Sequence, residues 1–562
     1  MLGMQHMAGS WRWFALSALL GAWSCSGGDF VEGHVDDGGA GNDGNAPGGE
    51  TSSHDGGSAN YEGGASPDNG GGGSVSHEGG APLGVGGGAG EENNGGFSVV
   101  SITPAPDAIG VARDGVVDVV FSASVEKASV TATSFRVEGP LGVVEGKLAV
   151  VGPEVTFTPN KPFSLLADYT IRISSTVRGE NGPLSRLYTS TFQTRDGAFS
   201  KPQRLSTTKA INFGMSGGQS GYVGVFWESS GAKKKVEVAI FNPDTNEWGA
   251  VQSLGPNAAN SYASLDVALN EKGEAFASYG DETANSPVWS RYDGVQWGPA
   301  HPEPTRLLGR PALSEDGTLM LAWVSFVGAE AQALAASLSP QNAWSANTIL
   351  QQNGTIRSLG RYGAGFLALL EREGGDVYSR AFSAQGGWGT ALPVTTGGVN
   401  YFHLSELDAT ALFTWNDAVG GIQASVFRGS EWMTTELGPG VGGTNSSVGV
   451  DGSLATWLYQ KNAYGALYDE ATGWGDPIKL GATTASDYGP GAAIDRARNA
   501  FAVWPAGTDI TWRRLPHTGS EWSDPQQIKD QDPGVLYASV DTYGNVMLAW
   551  SNPLGVWASR FE

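Results

Sequence analysis

Side chains able to do chemistry are sparse in this chain, and their spacing is the first evidence of its role. One cysteine, Cys25, occurs in 562 residues, so neither an intramolecular disulfide nor a cysteine zinc cluster can form. His34, His54 and His77 are scattered among glycines, while His301, His403 and His517 lie far apart, without the paired spacing that zinc requires. GTNSS (Gly443 to Ser447) lacks a nucleophile-elbow context, and neither a dinucleotide fingerprint nor a P-loop is present. No metal and no cofactor are therefore expected. Arg291, Arg380, Arg513 and Arg560 recur at a repeat interval rather than as a cluster for one acidic substrate. Trp289, Trp512 and Trp557 stand outside the repeated aromatic positions described below and are the candidate ligand-binding residues. No catalytic set can be assembled.

Composition narrows the partners. The formal net charge is −24. Residues 26–96 carry 12 acidic and no basic residues, 97–196 carry 10 acidic and 9 basic, and 197–562 carry 35 acidic and 23 basic. An acidic surface repels phosphate, which argues against nucleic acid. A monomer is expected.

Residues 11–24, WRWFALSALLGAWS, form an apolar run of signal-peptide length, too short to span a bilayer as a helix. It ends on Gly21, Ala22, Trp23 and Ser24 directly before Cys25, which resembles a bacterial lipoprotein signal. The resemblance implies that residues 1–24 are removed and that Cys25 becomes the lipid attachment site. It further implies an outer-membrane lipoprotein of the cell envelope, exposed at the surface or extracellular. An ordinary secretory signal followed by a free thiol is the other reading. From Ser26 to Gly96 the chain has 26 glycines in 71 residues and cannot bury a core. Residues 25–96 are expected to be a disordered tether, with an r.m.s. span of roughly 45 Å.

Between Phe97 and Thr194 the pattern changes to short alternating stretches: VVDVVFSA (Val116 to Ala123), EVTFTP (Glu154 to Pro159), YTIRIS (Tyr169 to Ser174) and YTSTFQT (Tyr188 to Thr194). Period-two alternation between turn residues predicts a β-sandwich, with Phe121, Phe157, Tyr169 and Phe192 facing inward. SITPAPDAIGV (Ser101 to Val111), FTPNKPFSLLADYTI (Phe157 to Ile171) and GENGPL (Gly179 to Leu184) resemble the bacterial Ig-like domain of S-layer-type surface proteins. The resemblance implies a spacer or adhesive module over residues 97–196.

From Ala198 onward three columns recur. The first is Trp227, Tyr279, Trp323, Leu370, Trp415, Trp457, Trp504 and Trp550, at intervals of 42 to 52 residues. The second is Phe241, Tyr292, Leu338, Phe382, Phe427, Tyr468, Leu515 and Phe561. The third is Trp248, Trp297, Trp344, Trp388, Trp432, Trp474 and Trp522, one member short. Phe199 supplies the eighth, because AFSKPQRL (Ala198 to Leu205) copies EWSDPQQI (Glu521 to Ile528). A unit of about 46 residues with four short strands matches a propeller blade. The expectation for residues 197–562 is an eight-bladed β-propeller closed by strand exchange between its two ends, with seven blades as the alternative if the unit around Leu370 packs irregularly. NPDTNEW (Asn242 to Trp248) and YDEATGW (Tyr468 to Trp474) loosely resemble the turns of sialidase-like propellers, but no unit keeps their full Asp-box pattern.

The fold class expected is all-β: a disordered linker, an Ig-like sandwich and a propeller. The function expected is a surface lipoprotein whose propeller binds a glycan or protein ligand. The alternatives are an exo-acting glycoside hydrolase or lyase, which needs carboxylates and arginines at the ring's centre, and a purely structural envelope component. Enzymatic activity is left open.

Overall fold

The computed structural model describes residues 96–230, 234–256, 265–281, 286–303, 309–485 and 489–562; the expected signal segment, Cys25 and the linker lie outside them. Among the described residues the chain is built of strands, with one 3₁₀ turn at Lys127–Ser129 as its helical piece. No helix among them is long and apolar enough to cross a membrane.

The N-terminal part is a sandwich. One sheet orders Val99–Thr103, Val117–Phe121, Glu154–Pro159 and Gly146–Val151; the other orders Ala108–Val111, Tyr188–Thr194, Asp168–Ile173, Phe135–Gly139 and Gly142–Val143. Alternation in Val117–Phe121 buries every second residue, and Phe121, Phe157, Tyr169 and Phe192 are all buried as the sequence pattern predicts. Tyr169 stacks on Phe192 at 5.3 Å, and Phe163 meets Phe192 edge-on at 5.5 Å.

Downstream the chain forms eight antiparallel sheets of four or five strands. Seven consecutive segments, spanning 210–256, 266–302, 310–352, 354–395, 399–439, 444–482 and 491–528, each make one sheet in simple up-and-down order. The eighth combines Leu536–Val540, Val546–Asn552 and Gly555–Phe561 with a strand from far upstream, Gln203–Ser206. Asx turns join many first and second strands. Asp541 Oδ1, for example, accepts from the backbone N–H of Tyr543 and Asn545 at 2.9 and 3.0 Å, and Gly544 (φ +81°) completes the reversal.

The first column lies on the second strand of every sheet. All eight of its residues are buried, with Trp323 the most exposed at 4%. Each large ring removes on the order of 150 to 250 Å² from water. Their polar atoms also lock neighbouring sheets together: Tyr279 Oη donates to Leu254 O at 2.8 Å, Trp457 Nε1 to Pro439 O at 3.1 Å and Trp504 Nε1 to Ala482 O at 2.9 Å, each on the outer strand of the preceding sheet. Leu370 packs as the aromatic members do, and its unit forms a regular sheet.

Seven apolar clusters bridge consecutive sheets, from first and second through to seventh and eighth, and an eighth joins the eighth sheet to the first through Met547, Ala549 and Val556 against Phe213, Val225 and Trp227. The first strands of neighbouring sheets likewise lie side by side, including Ala210–Gly217 beside Leu536–Val540. Phe199 bridges to Phe561 with ring centroids 5.2 Å apart. Trp248, Trp388, Trp432 and Trp474 meet their second-column partners at 4.9 to 5.5 Å in the same way.

Candidate functional site

The candidate tryptophans are not brought together. Trp289, Trp512 and Trp557 stand on the third strands of the second, seventh and eighth sheets. Trp289 is 3% exposed, stacked on Phe276 and on His301, whose ring lies 4.5 Å away. Trp512 is half-buried and stacks on Phe501 at 5.2 Å, edge-on to Phe199 and Phe561. Trp557, also half-buried, donates to Asn552 Oδ1 at 3.2 Å and carries the Arg204 guanidinium over its ring. Packing against neighbouring strands occupies all three. The recurring arginines tie backbone carbonyls within and between sheets: Arg380 Nε donates to Gly389 O at 2.8 Å and Nη1 to Leu350 O of the preceding sheet at 2.9 Å, and Arg513 repeats this with Ser523 O and Leu480 O.

A different set emerges from the register of the first strands. The residue facing the position just before the first column is Gly214, Asp266, Arg310, Ser358, His403, Asn445, Gly491 and Tyr537 in sheets one to eight. Because neighbouring first strands lie side by side, these positions form one level of the array. Two residues further along stand Ser216, Ala268, Ala312, Gly360, Ser405, Ser447, Ala493 and Ser539, small in every sheet. A varied level, polar in six of its eight members, thus stands beside a uniformly small one, and the Glu406 carboxyl of the next sheet closes over the small position at Gly360.

The polar side chains reach toward the next sheet. Asp266 feels the charge of Arg310, His403 Nδ1 pairs with Ser446 Oγ at 2.9 Å, and Tyr537 Oη donates to Phe213 O at 3.4 Å. Among the described residues Ser358 Oγ is buried without a hydrogen-bond partner. Burial pushes the Asp266 carboxyl up to about 7 and holds the His403 imidazole down at about 4, so this histidine is neutral near pH 7. At the end where first strands turn into second strands, Arg361 bridges Glu271, at 2.9 Å, and Glu315, while its backbone N–H donates to Glu406 Oε1 at 3.0 Å. Burial raises the Glu406 carboxyl to about 7. Among the described residues no group of three or more His, Cys, Asp or Glu could hold a metal ion.

Sequence columns built on large apolar residues missed this level. The signal available was the small residue two places on, as in DVA, RPA, HLS, NSS, GAA and YAS (from Asp266, Arg310, His403, Asn445, Gly491 and Tyr537).

The N-terminal sandwich covers the opposite end. Leu165 N–H donates to Tyr543 O at 2.8 Å, Arg113 Nη1 to Asn545 Oδ1 at 2.7 Å, and His517 Nε2 lies 3.0 Å from Asp168 Oδ2. Tyr543 and Asn545 belong to a turn between first and second strands, so the sandwich docks on the turn end while the level of Asp266 lies toward the other. Residues 93–194 match the bacterial Ig-like domain family. The Ig-like domain therefore occupies one face of the array. No curated protein matches the chain in sequence. Among solved structures, the array is similar to the Dos1 propeller (9% identity, 65% of this chain and 95% of that one, TM-score 0.46). It is also similar to the Aleuria aurantia lectin in complex with Fucα1-6GlcNAc (12%, 60% and 99%, TM-score 0.33) and to a PL25 ulvan lyase (12%, 64% and 95%, TM-score 0.34).

Proposed function

We propose that residues 197–562 are an eight-bladed propeller, closed by the Gln203–Ser206 strand, that binds a saccharide at the level of Asp266, Arg310, His403, Asn445 and Tyr537. Ligand enters from the end opposite the Ig-like domain. The observation that carries the reading is that level itself. It combines a carboxyl, a guanidinium, an amide, a neutral imidazole and a phenol ring, which suit the alternating donors and acceptors of sugar hydroxyls and the apolar face of a sugar ring. The apolar residues at that end support it: Tyr401 is 50% exposed and Phe326 49% exposed, and Val419, Val441 and Leu554 are more exposed still. A protein ligand would use the same rim.

Display follows from the N-terminal segment. Lipid attached at Cys25 anchors the chain in the outer membrane, the linker and Ig-like domain carry the propeller outward, and the protein is a monomer that binds no nucleic acid. Bacterial Ig-like domains are typical of surface proteins, which supports this placement. Cys25→Ser should release the protein from membranes; unchanged retention refutes the anchor.

A glycan array probed with the full mature chain tests the site. Retention of at least one glycan class, weakened tenfold or more in Arg310→Ala, is expected, and silence across glycans disposes of the saccharide reading. The second reading, a hydrolase or lyase, is favoured by the Asp266 carboxyl beside Arg310 at that level, which burial pushes up to about 7, where proton transfer near neutral pH is efficient. Chain shortening or unsaturated products on incubation with retained polysaccharide would decide for it.

A further inference from the structure

We propose that the Ig-like domain is an intramolecular clamp on the seam where the first and last strands of the array meet, so that the seam depends on it for full stability. A spacer would touch the array through few, solvated contacts, as interdomain surfaces usually do. Here the two cores interpenetrate. The loop between Pro159 and Asp168 sends Leu165, 0% exposed, into the apolar cluster shared by the seventh and eighth sheets, among Phe501, Val503, Trp550 and Phe561. In return Ala497, from the seventh sheet, packs in the sandwich core. Tyr169 shapes that loop, since its hydroxyl accepts from Ser164 N–H at 2.7 Å.

Polar contacts fix the orientation. Asn499 Nδ2 donates to Leu165 O at 3.3 Å, and Arg113 ties Phe163 O to Asn545 Oδ1, both at 2.7 Å. Arg514, its side chain 5% exposed, pairs with Asp196 at the exit of the Ig-like domain, lies 3.7 Å from Asp495 and sits over the Phe561 ring. A buried guanidinium is costly unless its partners are held in place, so this geometry resists sliding. A Cβ on Gly197 would fall 2.6 Å from Phe561 and 3.1 Å from Leu165; the chain passes between the two with no space left.

The seam is irregular. The upstream strand pairs with Gly555–Phe561 at Gln203, Arg204 and Ser206 with a register slip between the last two, and before it the pairing comes down to the Phe199–Phe561 bridge with the backbone bonds of Ala198 to Glu562 and of Ser200 to Arg560. This strand begins a few residues after Tyr188–Thr194, the last strand of the Ig-like domain. Docking that domain therefore holds the closing strand at its site and raises its effective concentration there.

Tryptophan fluorescence isolates the array, because the sandwich contains no tryptophan and the first one beyond the linker is Trp227. In the full mature chain, Leu165→Ala should speed amide exchange at least tenfold in Gln203–Ser206 and Gly555–Phe561 while leaving Leu367–Leu370 in the fourth sheet unchanged. Leu165→Asp should lower the fluorescence melting midpoint further. Should Leu165→Asp not fold, Arg113→Ala, which removes the bonds to Phe163 O and Asn545 Oδ1, reports by the same exchange measurement. Seam exchange equal to that of the unmodified protein in Leu165→Ala and Arg113→Ala overturns the clamp. The readouts are independent of any ligand, and deleting residues 198–206 tests the strand exchange separately.

Discussion

Along the second strands, one large apolar residue recurs per sheet at 0 to 4% exposure, whereas at the facing level of the first strands no residue type occurs more than twice. Both positions belong to the same hairpins and are separated by one strand spacing. The difference lies in what each side chain meets. A second-strand residue is pressed between two sheets, the same environment eight times, and the same answer is selected eight times. A first-strand residue at that level meets a different partner in each neighbouring sheet, as Asp266 meets Arg310 and His403 meets Ser446, so nothing requires the eight to be alike. Repetition thus marks packing here, and its failure marks the level proposed as the binding site.

Breaking the packing side should have the largest consequences. Deleting residues 198–206 removes a strand and the Phe199–Phe561 contact, and should lower the melting midpoint far more than deleting residues 26–95; equal melting would refute closure by strand exchange. Next, Trp415→Ala, at 1% exposure in the fifth sheet, should cost about 3 to 5 kcal/mol in chemical denaturation. If the variant folds, glycan retention should persist.

The inner side should respond more mildly, and in part through pH. Arg357→Ala strips Glu371, 16% exposed, of its ion pair and should cost on the order of 1 to 3 kcal/mol, read by urea titration. The Asp266 and Glu406 carboxyls stay protonated to about pH 7 when folded, but release their protons near 3.8 and 4.5 when unfolded. The folded state then binds more protons between about pH 4 and 7, so these groups make stability fall as pH rises through that window. His403 opposes them: its folded value of about 4 lies below 6.5, and its contribution is lost as pH falls between the two. Glu406→Gln should therefore gain on the unmodified protein by about 2 to 3 kcal/mol between pH 5 and pH 8; a difference that does not change with pH would show that Glu406 is not held protonated. Smallest of all, Lys161→Ala breaks a pair with Asp244 whose partners are 60% and 59% exposed, and should shift stability by less than about 0.5 kcal/mol.

Much of the architecture was legible in the residues. The alternation around Phe121 and Phe192 predicts buried strands, and the AFSKPQRL copy of EWSDPQQI predicts a strand that pairs away from its neighbours in sequence; Gln203–Ser206 does pair with Gly555–Phe561. The candidate site was not legible to the same degree. Trp289 looked available because it falls outside the columns, yet it fills the space between Phe276 and His301, since a ring one strand away from a column is still between sheets. Asp266 and Arg310 looked unremarkable as single charges, and only the shared level of neighbouring strands makes them one group.

The sequence by itself determined that the chain is all-β, that it carries a sandwich followed by repeated four-stranded units, and which large residues enter the core. Those properties follow from local alternation and from apolar area that must leave water in any compact state. Tertiary structure alone decided that Asp266, Arg310, His403, Asn445 and Tyr537 share one level, and that Leu165 completes a core more than 300 residues downstream in the chain. Both depend on strand register and on the side of the array to which the sandwich turns, which are set by contacts between segments far apart in the chain and leave no periodic trace in any one of them.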